Sequence, residues 1–275
     1  MIKQNLHTHS LYCDGYDTIE DMVLMAIDKG FNILGFSGHG WLAHDDCSMD
    51  EEHERRYVSD VLAMKKKYQS QIVIYLGIEE DYDGKIFQHD PFEFIIGSVH
   101  MNDSREGLIS VDYSDEVFRE TLSHAYDNDM RAYAKSYYEK VIACSKREEV
   151  DIMGHIDLIM KFNEDERYIA FDDPVYVGYA CKAIDAIIAN DKIIEVNTGA
   201  ISRGYRKTPY PDKRLLAYIH EKKGRIMLTS DCHDRRMLDC AYPETLALIK
   251  SCGFTSMVAL SKDGFIDVDI DEFMA

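Results

Sequence analysis

The feature that most constrains this chain is an alternation. Seven short apolar runs recur along it: "KQNL" (3–6), "NILGFS" (32–37), "IVIYLGI" (72–78), "FEFIIGSV" (92–99), "VDIMG" (150–154), "KIIEVN" (192–197) and "RIMLTS" (225–230). Between them lie stretches with helical apolar spacing. Short strands separated by helices specify repeated βα units and a parallel sheet. "SMVAL" (256–260) is a candidate eighth strand. Helices are expected over 18–30, 50–69, 114–148, 174–190, 211–223 and 243–252. The first opens with Thr18 and Asp21 in capping-box spacing, and Ile19, Met22, Val23, Ala26 and Ile27 form one face that ends at Gly30. No Ser/Gly linker, low-complexity tract or solenoid repeat interrupts the pattern, and α/β barrels often occupy such a length as one domain. The expectation is one domain over 1–275.

What stands after each run carries the functional signal. In order these residues are His7 and His9, His39, Glu79, His100, His155, Asn197 with Thr198, then Asp231 and His233. A lone His-x-His is weak in a chain with 11 histidines. Packing, however, gives no reason to place a histidine or an acid after six strands. In a parallel barrel the carboxyl ends of the strands converge on one face, where active sites are built. Residues i and i+2 of an extended segment point the same way, so His7 with His9, and Asp231 with His233, can each offer two ligands to one cavity. The other histidines, His44, His53, His89, His124 and His220, fall in polar loops or expected helices and read as surface residues.

Charge and composition exclude several classes. A formal net charge of −19 opposes binding to nucleic acid or an anionic membrane surface. No apolar run approaches the length needed to span a bilayer, and the first residues lack a signal-peptide layout, so a cytoplasmic protein is expected. Seven scattered cysteines, an odd number without a C-x-x-C pair, indicate neither a disulfide framework nor a thiolate zinc cluster, and most are expected to be small core residues.

Imidazoles mixed with carboxylates suit zinc, manganese or iron. Counting Asp14, the candidate ligands are too many for one tetrahedral ion, and a carboxylate such as Glu79 or Asp231 can bridge two, so two or three divalent ions are implied. Such clusters activate water and clamp the oxygens of an in-line displacement. Hydrolysis of phosphate esters, carboxyl esters and amides all fit at this stage. "EVNTGAISRGYRKTPYP" (195–211) adds Arg203, Arg206 and Lys207 on a Gly-containing loop, and "GHIDLIMKF" (154–162) adds Lys161 beyond His155. Cations beside a metal cluster favour an anionic substrate, with Arg203 the strongest candidate phosphate contact.

The ordered set "HTHS", Asp14-Gly15, "SGHG", "GIEED", "GSVH", "GHID" and "SDCH" resembles the polymerase and histidinol phosphatase (PHP) family over nearly the whole chain, and within it the stand-alone phosphatases. The resemblance implies a distorted (β/α)7 barrel with a trinuclear centre. His7, His9, Glu79 and Asp231 would hold one metal. Glu79 would bridge to a second on His100 and His155, and Asp14, His39 and His233 would hold a third. A bridging hydroxide would attack phosphorus, with Arg203 and Lys161 on the phosphate and Asp231 or His233 as candidate acids. Some relatives carry arginine where Met160 stands and histidine where Asp14 stands. The implied substrate is a small phosphorylated metabolite, L-histidinol phosphate first and a nucleotide or sugar phosphate as the alternative. An amidohydrolase would need a metal-bridging lysine after a central strand, where this chain has Glu79 and His100. A decayed, non-catalytic site would lack ligands, and none is evidently missing. Glu80, Asp81, Asp83 and Asp103 are candidate rim acids for the substrate's amine and imidazole.

Overall fold

A computed structural model describes residues 1–43, 45–105 and 107–273; His44 lies outside the described residues. Chain order runs β1 (Gln4–Asn5), α1 (Ile19–Asp28), β2 (Ile33–Phe36), α2 (Glu51–Lys67), β3 (Val73–Asp81), β4 (Phe94–Ser98), β5 (Met101–Ser104) and β6 (Gly107–Ser110). It continues through α3 (Asp115–Tyr126), α4 (Met130–Ser145), β7 (Ile152–Met153), α5 (Pro174–Ala189), β8 (Ile193–Asn197), α6 (Gly199–Ser202), α7 (Lys213–Glu221), β9 (Ile226–Thr229) and α8 (Tyr242–Ser251) to a hairpin of β10 (Ser256–Ser261) and β11 (Gly264–Asp269).

The seven expected strands form one sheet in the order β1-β2-β3-β4-β7-β8-β9, every pairing parallel. Closure is made just beyond the carboxyl ends: His9 N donates to Cys232 O at 2.9 Å and Cys232 N to His7 O at 3.0 Å. Those two bonds tie the first histidine pair to the last acid-histidine pair. The result is an α/β barrel in which the residues after β1 and β9 are neighbours.

Inward rows explain why one end is dry and the other polar. Alternate residues share a face of a strand, so β3 presents Tyr75, Gly77 and Glu79, β4 presents Phe94, Ile96 and Ser98, and β9 leads from Met227 through Thr229 to Asp231. Leu6, Tyr75, Phe94, Ile96, Ile152, Ile193 and Met227 pack together at the amino-terminal end with Val258 and Leu260 of the hairpin. The candidate eighth strand is therefore a strand outside the barrel. Gln4 holds it through Nε2 to Val258 O at 2.7 Å and Oε1 from Leu260 N at 3.3 Å, and its partner is β11 rather than β9.

The expected helix over 114–148 is two. Asp127 takes a left-handed φ of 50° and ends α3, and Asp129 caps α4 by accepting from Arg131 N and Ala132 N. The run Asp127-Asn128-Asp129 consists of residues that favour such turns and caps over helix interiors. Thr18 does cap α1 through Asp21 N at 3.1 Å. His53, His89, His124 and His220 are exposed. All seven cysteines are free thiols, but only Cys144 and Cys232 are buried, fewer than expected. Among the described residues no helix is long and apolar enough to cross a membrane.

Candidate metal centre

The histidines and acids that follow the strands converge on Glu79. Its carboxylate is buried at the end of the inward row of β3. Oε2 lies 3.2 Å from His7 Nε2, 3.6 Å from His9 Nε2 and 3.0 Å from His39 Nδ1. Oε1 lies 3.0 Å from His155 Nε2 and 3.5 Å from His100 Nε2, and accepts from Ser98 Oγ at 2.6 Å. Asp231 extends the cluster, its Oδ1 lying 3.2 Å from His9 Nε2 and 3.7 Å from His7 Nε2. Asp14 reaches His233 Nε2 at 3.0 Å, His39 Nε2 at 3.5 Å and His9 Nδ1 at 3.7 Å. The His9 and His233 rings stack at 4.0 Å.

Among the described residues three donor groups result: His7, His9 and Glu79; His39, Glu79 and His100; and His9, Asp14, His39 and His233. Glu79 belongs to two, and His9 faces two with its different nitrogens. The chemistry of this set fits divalent ions. Tetrahedral ligands at about 2.1 Å from zinc lie about 3.4 Å apart, which is the range of these donor separations. His7 Nε2, His9 Nε2, Asp14 Oδ1 and Glu79 Oε2 are buried and have no hydrogen-bond partner. Buried polar atoms are costly unless paired or bound to metal. The expected grouping is regrouped in one respect: His39 approaches Glu79 as closely as His155 does.

The groups of the cluster divide electrostatically. Burial opposes charge on His7, but Glu195, Glu79 and Asp231 outweigh it and raise its pKa. His9 is lowered to about 3 by burial and by the His233 and His39 charges. Burial also opposes charge on His100, which Glu79 and Asp81 nonetheless raise to about 9. Glu79 and Asp231 pay burial too, yet their cationic neighbours hold both below the usual carboxylate range.

A second layer of residues orients these donors. Glu195 is buried in the strand "KIIEVN" and meets His7 Nδ1 at 2.5 Å, fixing Nε2 toward Glu79. It also accepts from His155 N (2.7 Å), Asn197 Nδ2 (2.9 Å) and Thr229 Oγ1 (2.7 Å). Such partners set the tautomer and aim of metal-binding histidines. Asp81 does this for His100, at 3.1 Å from Nδ1 and 2.7 Å from the backbone N. Cys13 Sγ lies 3.5 Å from His9 Nδ1. The Glu195 role was not expected from the sequence, although an acid inside an otherwise apolar strand was a usable signal.

Arg203 stands beside this centre. It begins the loop after α6, 31% of its side chain is exposed, and Nη2 donates to Asp231 Oδ2 at 2.9 Å while Nη1 lies 3.2 Å from His233 Nδ1. Gly199 makes room for it: a Cβ there would lie 2.8 Å from Asp231 Oδ2 and 2.9 Å from Arg203 Nη2. Asp231 itself takes φ 48°, a left-handed conformation rare for aspartate, which aims its carboxylate between the histidines and the guanidinium. Lys161 sits farther out, its Nζ on Asp112 O (2.7 Å) and Oδ2 (3.0 Å). Arg206 is fully buried against Asp157 at 3.5 Å and stacked over Tyr210 at 4.7 Å, which makes it a framework residue; Lys207 is exposed. Met160 is buried in the core.

A parallel barrel with acids and histidines gathered at its carboxyl-terminal mouth defines a class, the polynuclear metal-binding α/β barrels. The family model described as PHP domain matches residues 5–199, and the chain belongs to that family. It is 26% identical over 279 residues to a Schizosaccharomyces pombe protein named "Probable histidinol-phosphatase", covering 93% of this chain and 89% of the other. Against the Bacillus subtilis histidinol-phosphatase the identity is 25% over 264 residues, covering 88% and 97%. The fold matches the histidinol phosphate phosphatase of Lactococcus lactis subsp. lactis Il1403, a structure in complex with zinc, L-histidinol and phosphate, with a TM-score of 0.71, 20% identity and coverage of 96% and 98%.

Proposed function

We propose that this protein is a metal-dependent phosphomonoesterase that hydrolyses L-histidinol phosphate to L-histidinol and inorganic phosphate, as one PHP-type domain over 1–275 in the cytoplasmic synthesis of histidine. The observation that carries the reading is Glu79 at the junction of the donor groups, with Arg203 beside them on Asp231. The relatives named for this activity, matched over most of both chains, support the substrate.

His7, His9, Glu79 and Asp231 would hold one ion; Glu79 with His100 and His155 would hold a second; and Asp14, His233 and His39, whose Nδ1 also approaches Glu79 at 3.0 Å, would hold a third. Bound divalent ions of this kind supply an activated water and offset the charge on oxygens in an in-line displacement. The remaining work falls to the chain. Arg203, fixed by Asp231, meets the phosphoryl oxygens with a planar fork and stabilises the charge that develops there. Arg203 on Oδ2 and the histidines near Oδ1 keep Asp231 ionised, so of the two candidate acids His233, whose Nδ1 lies 3.5 Å from Asp231 Oδ1, is the one placed to pass a proton to the departing alkoxide. Lys161 adds positive charge at the outer edge.

The test is a panel of phosphate esters offered to zinc- or manganese-loaded protein: L-histidinol phosphate, nucleoside monophosphates, sugar phosphates and an aryl phosphate. The highest kcat/KM is expected for L-histidinol phosphate. A preference for a nucleotide or sugar phosphate would keep the metal centre and replace the substrate.

A further inference from the structure

The proposed substrate carries an ammonium group two carbons from the ester oxygen, and standard bond lengths confine it to within about 4 Å of that oxygen. The group that reads it must therefore lie near Arg203. The four acids expected at the rim are already committed. Glu80 is buried on Arg147 at 2.5 Å, Asp81 holds His100, and Asp83 and Asp103 share Lys140 at 2.7 and 3.2 Å.

Asp112 differs. It follows the β5–β6 hairpin, which is anchored where Val111 N donates to His100 O at 2.9 Å. Ser110 Oγ donates to its Oδ1 at 3.1 Å and accepts from its backbone N at 3.3 Å, so the carboxylate is fixed. A quarter of the side chain is exposed. The residue before it is bonded to the His100 carbonyl, and its charge is felt at both His100 and Arg203. Its present partner is an ammonium: Lys161 Nζ, held by Asp112 O and Oδ2 and lying 4.7 Å over the ring of Tyr205. This is a built ammonium site, two oxygens at hydrogen-bond distance beside an aromatic face.

We propose that Asp112 is the specificity residue that binds the substrate's amino group, and that Lys161 occupies its place until substrate arrives. The inference rests on the substrate reading above. When the phosphate dianion meets Arg203 it also draws the Lys161 ammonium, and the substrate ammonium replaces Lys161 on Asp112. One internal ion pair is exchanged for two pairs with a zwitterionic ligand, so no carboxylate or ammonium is left buried without a partner. With a phosphate ester that lacks an amine, Lys161 either stays on Asp112 and is lost to the phosphate, or moves to the phosphate and leaves Asp112 facing it unneutralised. The same carboxylate that accepts an amine therefore repels simple phosphates.

The experiment compares kcat/KM for L-histidinol phosphate and for its amine-free analogue, 3-(imidazol-4-yl)propyl phosphate, in the wild type, D112N and K161M, all metal-loaded, with calorimetric binding of L-histidinol beside them. D112N is expected to lower the ratio of the two values by about tenfold or more, the scale of one charge-assisted hydrogen bond, and to weaken L-histidinol by a similar factor. K161M is expected to lower both values and leave the ratio near that of the wild type. If D112N lowers both substrates in parallel, as K161M does, Asp112 only positions Lys161 and the proposal is overturned. If the wild type shows no preference for L-histidinol phosphate over an aryl phosphate, the substrate reading fails and this proposal with it. A wild type that prefers L-histidinol phosphate and a D112N ratio that does not move would overturn the amine site alone.

Discussion

Replacing Glu195 by glutamine preserves size and removes one acceptor from a carboxylate that accepts from His7 Nδ1 and Thr229 Oγ1 on one oxygen and from His155 N and Asn197 Nδ2 on the other. The new amide has two orientations, and each fails differently. With its NH2 toward His7, the Thr229 hydroxyl can rotate and accept, but His7 Nδ1 must then accept as well. That puts the proton on Nε2, the nitrogen aimed at Glu79, and Nε2 can no longer bind metal. Loss of such an orienting partner costs about 10–100-fold in metal affinity. With its NH2 toward His155, His7 keeps its tautomer, but two buried donors lose their acceptor. Asn197 cannot simply flip, because its Oδ1 already accepts from Gly199 N at 2.7 Å. Unsatisfied buried donors cost about 1–3 kcal/mol each, a large part of the roughly 5–15 kcal/mol that stabilises a domain. E195Q is therefore expected to lose either metal affinity or stability, read by competitive zinc titration and by denaturant unfolding. Zinc affinity equal to wild type together with an unfolding free energy within about 0.5 kcal/mol of it would refute the orienting role.

Arg203→Ala is expected to lower kcat/KM for a phosphomonoester by at least about tenfold by removing a charged contact to the phosphoryl group; unchanged steady-state kinetics would contradict that contact. Gly199→Ala places a methyl 2.8 Å from Asp231 Oδ2 and 2.9 Å from Arg203 Nη2, and displacement of that pair is expected to cost about 10–100-fold in kcat/KM with an unaltered circular dichroism spectrum. Removing metal with a chelator is expected to lower the melting temperature, because ions that bind only the folded state at a thousandfold over Kd contribute about 4 kcal/mol. Restored zinc or manganese should raise it again; a melting curve indifferent to both would contradict the reading of the orphaned donors.

The barrel was legible because its signal is repeated. Each strand is short, yet seven apolar runs recur and six of them are followed by a histidine or an acid, and closure between His7, His9 and Cys232 brings the first and last of these together. "SMVAL" has the same local pattern as a barrel strand, but it is followed by Ser261-Lys262-Asp263-Gly264 rather than by a helix, and it folds back as a hairpin instead. The helix break at 127–129 was written in the sequence as three turn-forming residues inside a longer apolar period. Apart from Asp14, which lies in the loop between β1 and α1, the donors were readable from the strand ends, because backbone geometry aims those residues inward. Glu195 and Asp81 were harder: they act through hydrogen bonds to residues on other strands, and a pattern along one strand does not reveal which histidine a carboxylate meets. Arg206 shows the reverse case. It looked like a loop cation, yet the loop folds it inward onto Asp157 and Tyr210.

The most direct test of the account is a metal titration of the stripped protein in which phosphate release from L-histidinol phosphate is read against ions bound per chain. Shared donors at Glu79 and His9 predict that activity rises only as two or three ions bind, reaching a kcat/KM of about 10⁴ M⁻¹s⁻¹ or more. Full activity in metal-free protein, or a plateau at a single ion, would contradict it.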